Sequence, residues 1–198
     1  MVTYLYIEKR KKRRCTYGQG MEIKVLRLGH RPARDKRVTT HIMLAARAFG
    51  ASGALYTGTK DPSVEETVRK VGLDWGGDFE VAFSKTWIDV VRSWKKKGKV
   101  VHLTMYGLPI QKVIGNVRDD PSDKLVIVGG AKVPGEVFGM ADWNVAVTSQ
   151  PHSEVSALAV FLHELYESRE LERDFEGARL RIVPQEKGKR VENVASKV

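Results

Sequence analysis

The stretch Lys124-Leu-Val-Ile-Val-Gly-Gly-Ala-Lys-Val-Pro134 decides the fold class. Its first five residues are almost wholly apolar, as expected of a strand covered on both faces, the usual state in a parallel sheet. Paired glycines and a proline follow the run. Working outward, similar runs recur and alternate with helical patterns. Glu22–Leu28 reads as a first strand, Asp35–Phe49 as a helix with Ile42, Met43, Ala45, Ala46 and Phe49 on one face, and Ala51–Thr57 as a second strand. A helix over Pro62–Gly72, a strand over Phe79–Phe83 and a helix defined by Trp87, Val90, Val91 and Trp94 come next. A strand over Lys99–Met105, a short helical segment near Gly135–Gly139 and a strand over Trp143–Val147 lead to a strongly amphipathic helix, Ser153–Glu167. Ala178–Val183 reads as one more strand. Strand-helix alternation of this kind predicts an α/β domain with a mostly parallel sheet.

The 198 residues suit one domain with short appendages. The expected divisions are a basic N-terminal extension over 1–20, the domain over 21–183 and a basic, unpatterned tail over 184–198. Lys and Arg number 34 against 24 Asp and Glu, a net charge of +10 that favours an anionic partner such as nucleic acid. Half of that excess lies in the first twenty residues, where Lys9-Arg-Lys-Lys-Arg-Arg14 precedes the linker-like Tyr17-Gly-Gln-Gly20. This segment reads either as a nucleic-acid-binding arm or as an annotated start placed too early. It lacks the apolar stretch of a signal peptide. One cysteine, Cys15, excludes an internal disulfide framework and a cysteine-rich zinc site. No apolar run is long enough for a membrane span. The balance fits a soluble protein of a reducing compartment, the cytoplasm.

In open parallel sheets ligands bind beyond the carboxyl ends of strands, and four such ends here carry unusual loops. The first, Leu28-Gly-His-Arg-Pro-Ala-Arg-Asp-Lys-Arg-Val-Thr-Thr-His41, holds Arg31, Arg34, Lys36 and Arg37 within seven residues. A helix N-terminus repels cations, so local stability does not select them there, and phosphate binding by guanidinium forks accounts for them. The second is His102-Leu-Thr-Met-Tyr-Gly-Leu108. The third is Val128-Gly-Gly-Ala-Lys-Val-Pro134, where the glycines either make a tight turn or let a ligand approach the backbone. The fourth, Val147-Thr-Ser-Gln-Pro-His-Ser-Glu154, precedes the strongest helix, and Ser153 and Glu154 suit its cap and first turn. No dinucleotide-binding or P-loop glycine pattern and no nucleophile elbow occurs. The histidines at 30, 41, 102, 152 and 163 match no H-E-x-x-H spacing, so no metal is expected.

Three segments together carry a resemblance. They are Leu26–His41 with Ala46-Arg-Ala-Phe-Gly-Ala51, Val101-His-Leu-Thr-Met-Tyr-Gly107, and Ile127–Pro134 with Ser149-Gln-Pro-His-Ser-Glu-Val-Ser-Ala-Leu-Ala159. Over roughly residues 21 to 190 the chain resembles the archaeal tRNA cytidine 2′-O-methyltransferase family, which modifies cytidine 56 of the T-loop and belongs to the SPOUT superfamily. The resemblance implies a mostly parallel sheet with helices on both faces and a C-terminal trefoil knot, a homodimer, tRNA as substrate and S-adenosylmethionine as cofactor, with no metal and no membrane. Cofactor contacts implied by the matching motifs are Leu103 and Leu108, then Gly129, Gly130, Ala131, Lys132 and Val133, then Val147, Thr148, Ser149, Gln150, Pro151, His152, Ser153 and Glu154. For His152, loop structure and capping compete with that role.

Related ribose methyltransferases place an asparagine and an arginine before a Phe-Gly pair. Counted back from Gly50, Val38 and Leu44 stand at those positions. The expected substitutes are Arg34 and Arg37, with Thr40 and His41 close by, so that Arg34, Arg37 and His41 form the catalytic set and Arg31, Arg34, Lys36 and Arg37 the substrate-binding set. Arginine is a poor base because its pKa exceeds about 12. Arg34 or Arg37 therefore holds phosphate and stabilises a developing alkoxide. The competing expectations are a related enzyme acting on another RNA site and an RNA-binding protein without catalysis.

Overall fold

The computed structural model describes residues 21–130 and 132–194; the expected extension over 1–20 and the position of Ala131 lie outside them. One parallel sheet contains β1 (Ile23–His30), β2 (Gly53–Gly58), β3 (Glu80–Phe83), β4 (Gly98–Pro109), β5 (Asp123–Val128) and β6 (Trp143–Ala146), in the order β3-β2-β1-β5-β4-β6. Between them run α1 (Pro32–Ala48), α2 (Pro62–Trp75), α3 (Trp87–Trp94), α4 (Ile110–Asp119) and α5 (Glu136–Met140), and α6 (Glu154–Tyr166) follows β6. A 3-10 helix over Arg169–Glu172 leads to an antiparallel hairpin of β7 (Leu180–Val183) and β8 (Arg190–Asn193).

Both faces of the sheet are covered, which explains the near-continuous apolar runs. In β1, Ile23 and Val25 join the core beneath α1, α2, α4 and α6, whereas Leu26 and Leu28 join a second core with Val91 and Trp94 of α3 and Val137 of α5. Leu125 to Val128 of β5 are buried throughout. The helices begin on local hydrogen bonds: the Asp61 carboxylate accepts from Ser63 N, the Thr86 hydroxyl from Asp89 N and the Ser153 hydroxyl from Val155 N.

The order of strands locates the ligand-binding edge. From β1 the chain moves outward to β2 and β3, then returns to fill the other side with β4, β5 and β6. The boundary between β1 and β5 is therefore a topological switch point, where a crevice opens at the carboxyl ends. Beside it, β4 is irregular: Leu103 and Leu108 both pair with Val145, which pushes Thr104–Gly107 out of the ladder. Gly107 permits this. A Cβ there would lie 2.4 Å from the Asn144 carbonyl oxygen.

Four sequence expectations change. Helix α1 begins at Pro32, three residues earlier than Asp35, because a proline suits the first helical position and Arg31 pairs with Asp35 across one turn. The cationic loop is thus largely the start of a helix. Helix α4 was not anticipated, although Ile110, Val113, Ile114 and Val117 lie on one buried face. Strand β4 runs to Pro109, four residues beyond the expected Met105. Finally, the stretch read as unpatterned after residue 184 contains β8.

Candidate active site

A cavity of about 360 Å³ opens where β4, β5 and β6 end. Three loops converge on it, through residues 102–106, then 128–130 and 133, then 145, 147 and 151–154. Of the expected cofactor contacts, Leu103, Gly129, Gly130, Val133, Val147, Pro151, His152, Ser153 and Glu154 line the cavity. Leu108, Lys132, Thr148, Ser149 and Gln150 are not among the lining residues, and Ala131 lies outside the described residues. Leu108 returns to the β ladder and is exposed. The turn Thr148–Gln150 serves the loop itself: the Thr148 hydroxyl accepts from Gln150 N at 3.3 Å, and His152 Nδ1 lies 2.7 Å from the Gln150 carbonyl oxygen. His152 therefore has a loop-forming contact and also faces the cavity.

His102, Thr104, Met105 and Tyr106, part of the second loop quoted above but not among the expected cofactor contacts, also line the cavity, as does Phe138, which the sequence reading did not name. Tyr106, at the pushed-out segment of β4, is 78% exposed. The most consequential omission, Arg27, stands behind the lining rather than in it. It is a charged residue on β1, facing the α1 and α6 side, and only 2% exposed. Its Nη1 donates to the Gly129 carbonyl, and its Nη2 lies 3.8 Å from Glu154 Oε1 at the start of α6. Arg27 pairs in register with Val128, so this bond crosses the switch point. Burial lowers the Arg27 pKa from its ordinary value, with Glu154 and Asp35 opposing that shift. The guanidinium remains charged, since an arginine pKa starts above about 12. A Cβ on Gly130 would stand 3.2 Å from Arg27 Nη1, so the glycine lets the loop settle on the cation. The available signal was a cation between Leu26 and Leu28, on the same side of the strand as the core residues Ile23 and Val25.

Arg31, Arg34, Lys36, Arg37 and His41 are all exposed and do not line the cavity. Arg31 donates twice to the Asp35 carboxylate, at 2.7 and 3.0 Å, which holds that carboxyl below the usual range. Arg34, Lys36, Arg37 and His41 make no side-chain hydrogen bond or salt bridge among the described residues, which leaves them open to solvent. Arg34, Arg37 and His41 follow three- and four-residue spacing and share one face of α1. The helix is anchored below by buried His30, whose Nδ1 lies 2.8 Å from Thr39 Oγ1 and whose Nε2 lies 3.4 Å from Asp61 Oδ2. No three His, Cys, Asp or Glu side chains among the described residues form a group that could hold a metal, and no helix there is long and apolar enough to cross a membrane.

Comparison with solved structures identifies the fold. An Aquifex aeolicus TrmH/SpoU tRNA-modifying enzyme superposes with a TM-score of 0.56 at 13% identity, covering 76% of this chain and 77% of that one. The SpoU methyltransferase AviRb of Streptomyces viridochromogenes, solved with AdoMet, gives 0.54 at 18% identity over 76% of this chain and 58% of its own. The chain shares its fold with these two SpoU proteins. Sequence narrows this further. A family profile described as tRNA ribose 2′-O-methyltransferase, aTrm56, matches residues 75–192. The tRNA (cytidine(56)-2′-O)-methyltransferases of Methanothermobacter thermautotrophicus and Methanopyrus kandleri are 53% and 59% identical, covering 88% and 86% of this chain and 98% and 96% of their own lengths. The chain belongs to the tRNA (cytidine(56)-2′-O)-methyltransferase family.

Proposed function

We propose that the protein transfers a methyl group from S-adenosylmethionine to the ribose 2′-oxygen of cytidine 56 in the T-loop of tRNA. The observation that carries this reading is the convergence of three loops on one cavity at the switch-point edge, with a cationic helix face beginning at the end of the neighbouring strand. When bound, S-adenosylmethionine supplies a methyl already activated on a sulfonium, which departs as a neutral thioether.

The chain's own residues then have three tasks. Val128, Val133, Val145, Val147 and Ala157 provide apolar walls that exclude water from the donor, while Glu154 supplies a carboxylate that favours a cationic ligand. Arg27 fixes the Gly129 loop against the start of α6. Arg34 and Arg37 bind phosphate beside the target ribose and stabilise negative charge as the 2′-hydroxyl loses its proton. His41, on the same helix face, offers a nitrogen lone pair for that proton. Ribose methylation needs this help because a 2′-hydroxyl is a weak nucleophile.

The C-terminal knot and a homodimer are part of the same proposal and rest on family membership; exposed Tyr106 and Leu108 beside the cavity support a partnered surface there. Sedimentation equilibrium tests the dimer. Tritium transfer from labelled cofactor to tRNA transcripts tests the reaction. Labelling should disappear when cytidine 56 carries a 2′-deoxy sugar, and labelling that survives would exclude this target.

A further inference from the structure

One buried group beside the cavity has no task in the proposed reaction. His102 lies in the middle of β4, fully buried, and belongs to the cavity wall. Its Nδ1 is 2.9 Å from Asn144 Oδ1. The Asn144 amide nitrogen donates to the Phe138 carbonyl oxygen at 2.9 Å, which turns the amide oxygen toward the imidazole. His102 Nδ1 must therefore carry the hydrogen, and Nε2 is left as a bare acceptor. That Nε2 is buried and has no hydrogen-bond partner. Phe138 packs edge-on against the imidazole, with centroids 4.8 Å apart, and lines the same cavity. Burial also lowers the His102 pKa, with the Asn144 contact opposing, so the ring stays neutral.

A buried acceptor without a donor is costly, and native proteins retain few. A ligand that brings the donor would remove that cost, provided the His102–Phe138 wall shifts as it binds, since Nε2 has no surface open to the cavity. We propose that His102 is a specificity-determining residue for the cofactor, accepting a hydrogen bond from the adenine 6-amino group through Nε2. This inference rests on the proposed S-adenosylmethionine reading. Among the donors of that cofactor, the α-ammonium is charged and is matched by Glu154 at the start of α6, not by a neutral acceptor in an apolar wall. A flat heteroaromatic ring suits the space beside Phe138, Val133 and Val145, and its exocyclic donor is the 6-amino group. A 6-oxo purine would set an oxygen lone pair against Nε2.

The test compares S-adenosylhomocysteine with S-inosylhomocysteine by calorimetry on the full chain and on the His102→Gln and His102→Phe variants. The native protein should prefer the adenosyl compound by on the order of 100-fold, as expected for a site built to accept a donor. His102→Phe keeps the ring contact with Phe138 but has no acceptor, and should lose about tenfold in adenosyl affinity. His102→Gln can turn its amide toward the 6-oxo group, and the preference should fall below about tenfold. Equal weakening of both ligands, or an unchanged preference, overturns the assignment. A measurement without substitution reads the same bond: in ¹⁵N-histidine-labelled protein the Nε2 resonance of His102 should move upfield with S-adenosylhomocysteine and stay in place with the inosyl compound. An unmoved resonance in the adenosyl complex also overturns it. If native protein binds neither compound, the cofactor reading itself fails; if it binds S-adenosylhomocysteine without these differences, only the role of His102 fails.

Discussion

Replacing Arg27 with methionine should separate stability from ligand binding. The guanidinium is 2% exposed, and withdrawing such a charge from water costs several kcal/mol even after relaxation. Glu154 at 3.8 Å returns about 4 kcal/mol at an effective dielectric constant near 20. Its side chain is 38% exposed, however, and solvent screening reduces that figure to about 1 kcal/mol. A methionine of similar length removes the desolvation cost but leaves the Gly129 carbonyl without its donor, at about 1–3 kcal/mol. The opposing contributions nearly cancel, so stability should change by less than about 2 kcal/mol, or by about 4–8 °C in Tm for a domain of this size. Binding should respond differently. On the proposed reading that the Gly129 loop contacts the donor, that loop loses its anchor and must be ordered when ligand arrives, at about 1–2 kcal/mol, so S-adenosylhomocysteine should bind about 5–30-fold more weakly. Calorimetry and urea denaturation on the same preparation read both quantities. A loss of more than about 4 kcal/mol of stability with native affinity in the folded fraction would refute this account and make Arg27 a packing residue.

Three further outcomes follow from the same geometry. Gly107→Ala should destabilise by about 1–3 kcal/mol and impair S-adenosylhomocysteine binding, because its Cβ would meet the Asn144 carbonyl at 2.4 Å, whereas Gly115→Ala in α4 meets nothing within 4 Å and should stabilise by about 0.5–1 kcal/mol in the same denaturation assay. Arg34→Ala and Arg37→Ala should lower methyl transfer at least about tenfold while leaving cofactor affinity within about twofold, since neither side chain lines the cavity; equal losses of transfer and binding would count against the phosphate role. The Ser122 hydroxyl and the buried Lys124 ammonium hold the Asp120 carboxyl down at about 2, below its ordinary 3.8, so its contribution of about 1–2 kcal/mol is present above pH 4 and lost as pH falls through 2. Asp120→Asn should flatten that part of the acid-unfolding profile, and an unchanged profile would show that the contact contributes nothing.

The sheet was legible because strands buried on two faces have few polar positions: Leu125–Val128 and the flanks of Val25 could hardly be anything else. The helix α4 escaped because Gly115 interrupts it and Pro109 precedes it, although its apolar residues keep helical spacing. β8 offers one apolar residue, Val191, and owes its existence to pairing with β7 across the turn at Gly188, which has φ +93°. In the cavity, glycine and proline turns gave away the three loops. Arg27 and His102 did not, because each sits inside a strand, where sequence gives no indication of which side chain reaches the carboxyl edge. Their importance comes from pairings across β1–β5 and β4–β6, and those neighbours are distant in the chain.

The placement of charge suggests why Arg27 and Glu154 belong together. A methyl donor arrives with a cationic sulfur, and the RNA arrives as a polyanion, yet the two must meet at one edge of the sheet. An unpaired Arg27 behind the Gly129 loop would repel the donor. Glu154 supplies the compensating carboxylate, while Arg34, Lys36 and Arg37 keep their charge on the exposed face of α1. Phosphate bound on that face lowers the local potential and strengthens the attraction of the cavity for a cation, so RNA and donor should each favour the other's binding, by the same factor in both directions. Loss of the sulfonium charge on transfer would weaken the electrostatic attraction of the cavity, while the α-ammonium would keep its match to Glu154, so the spent cofactor would be held somewhat less firmly than the donor.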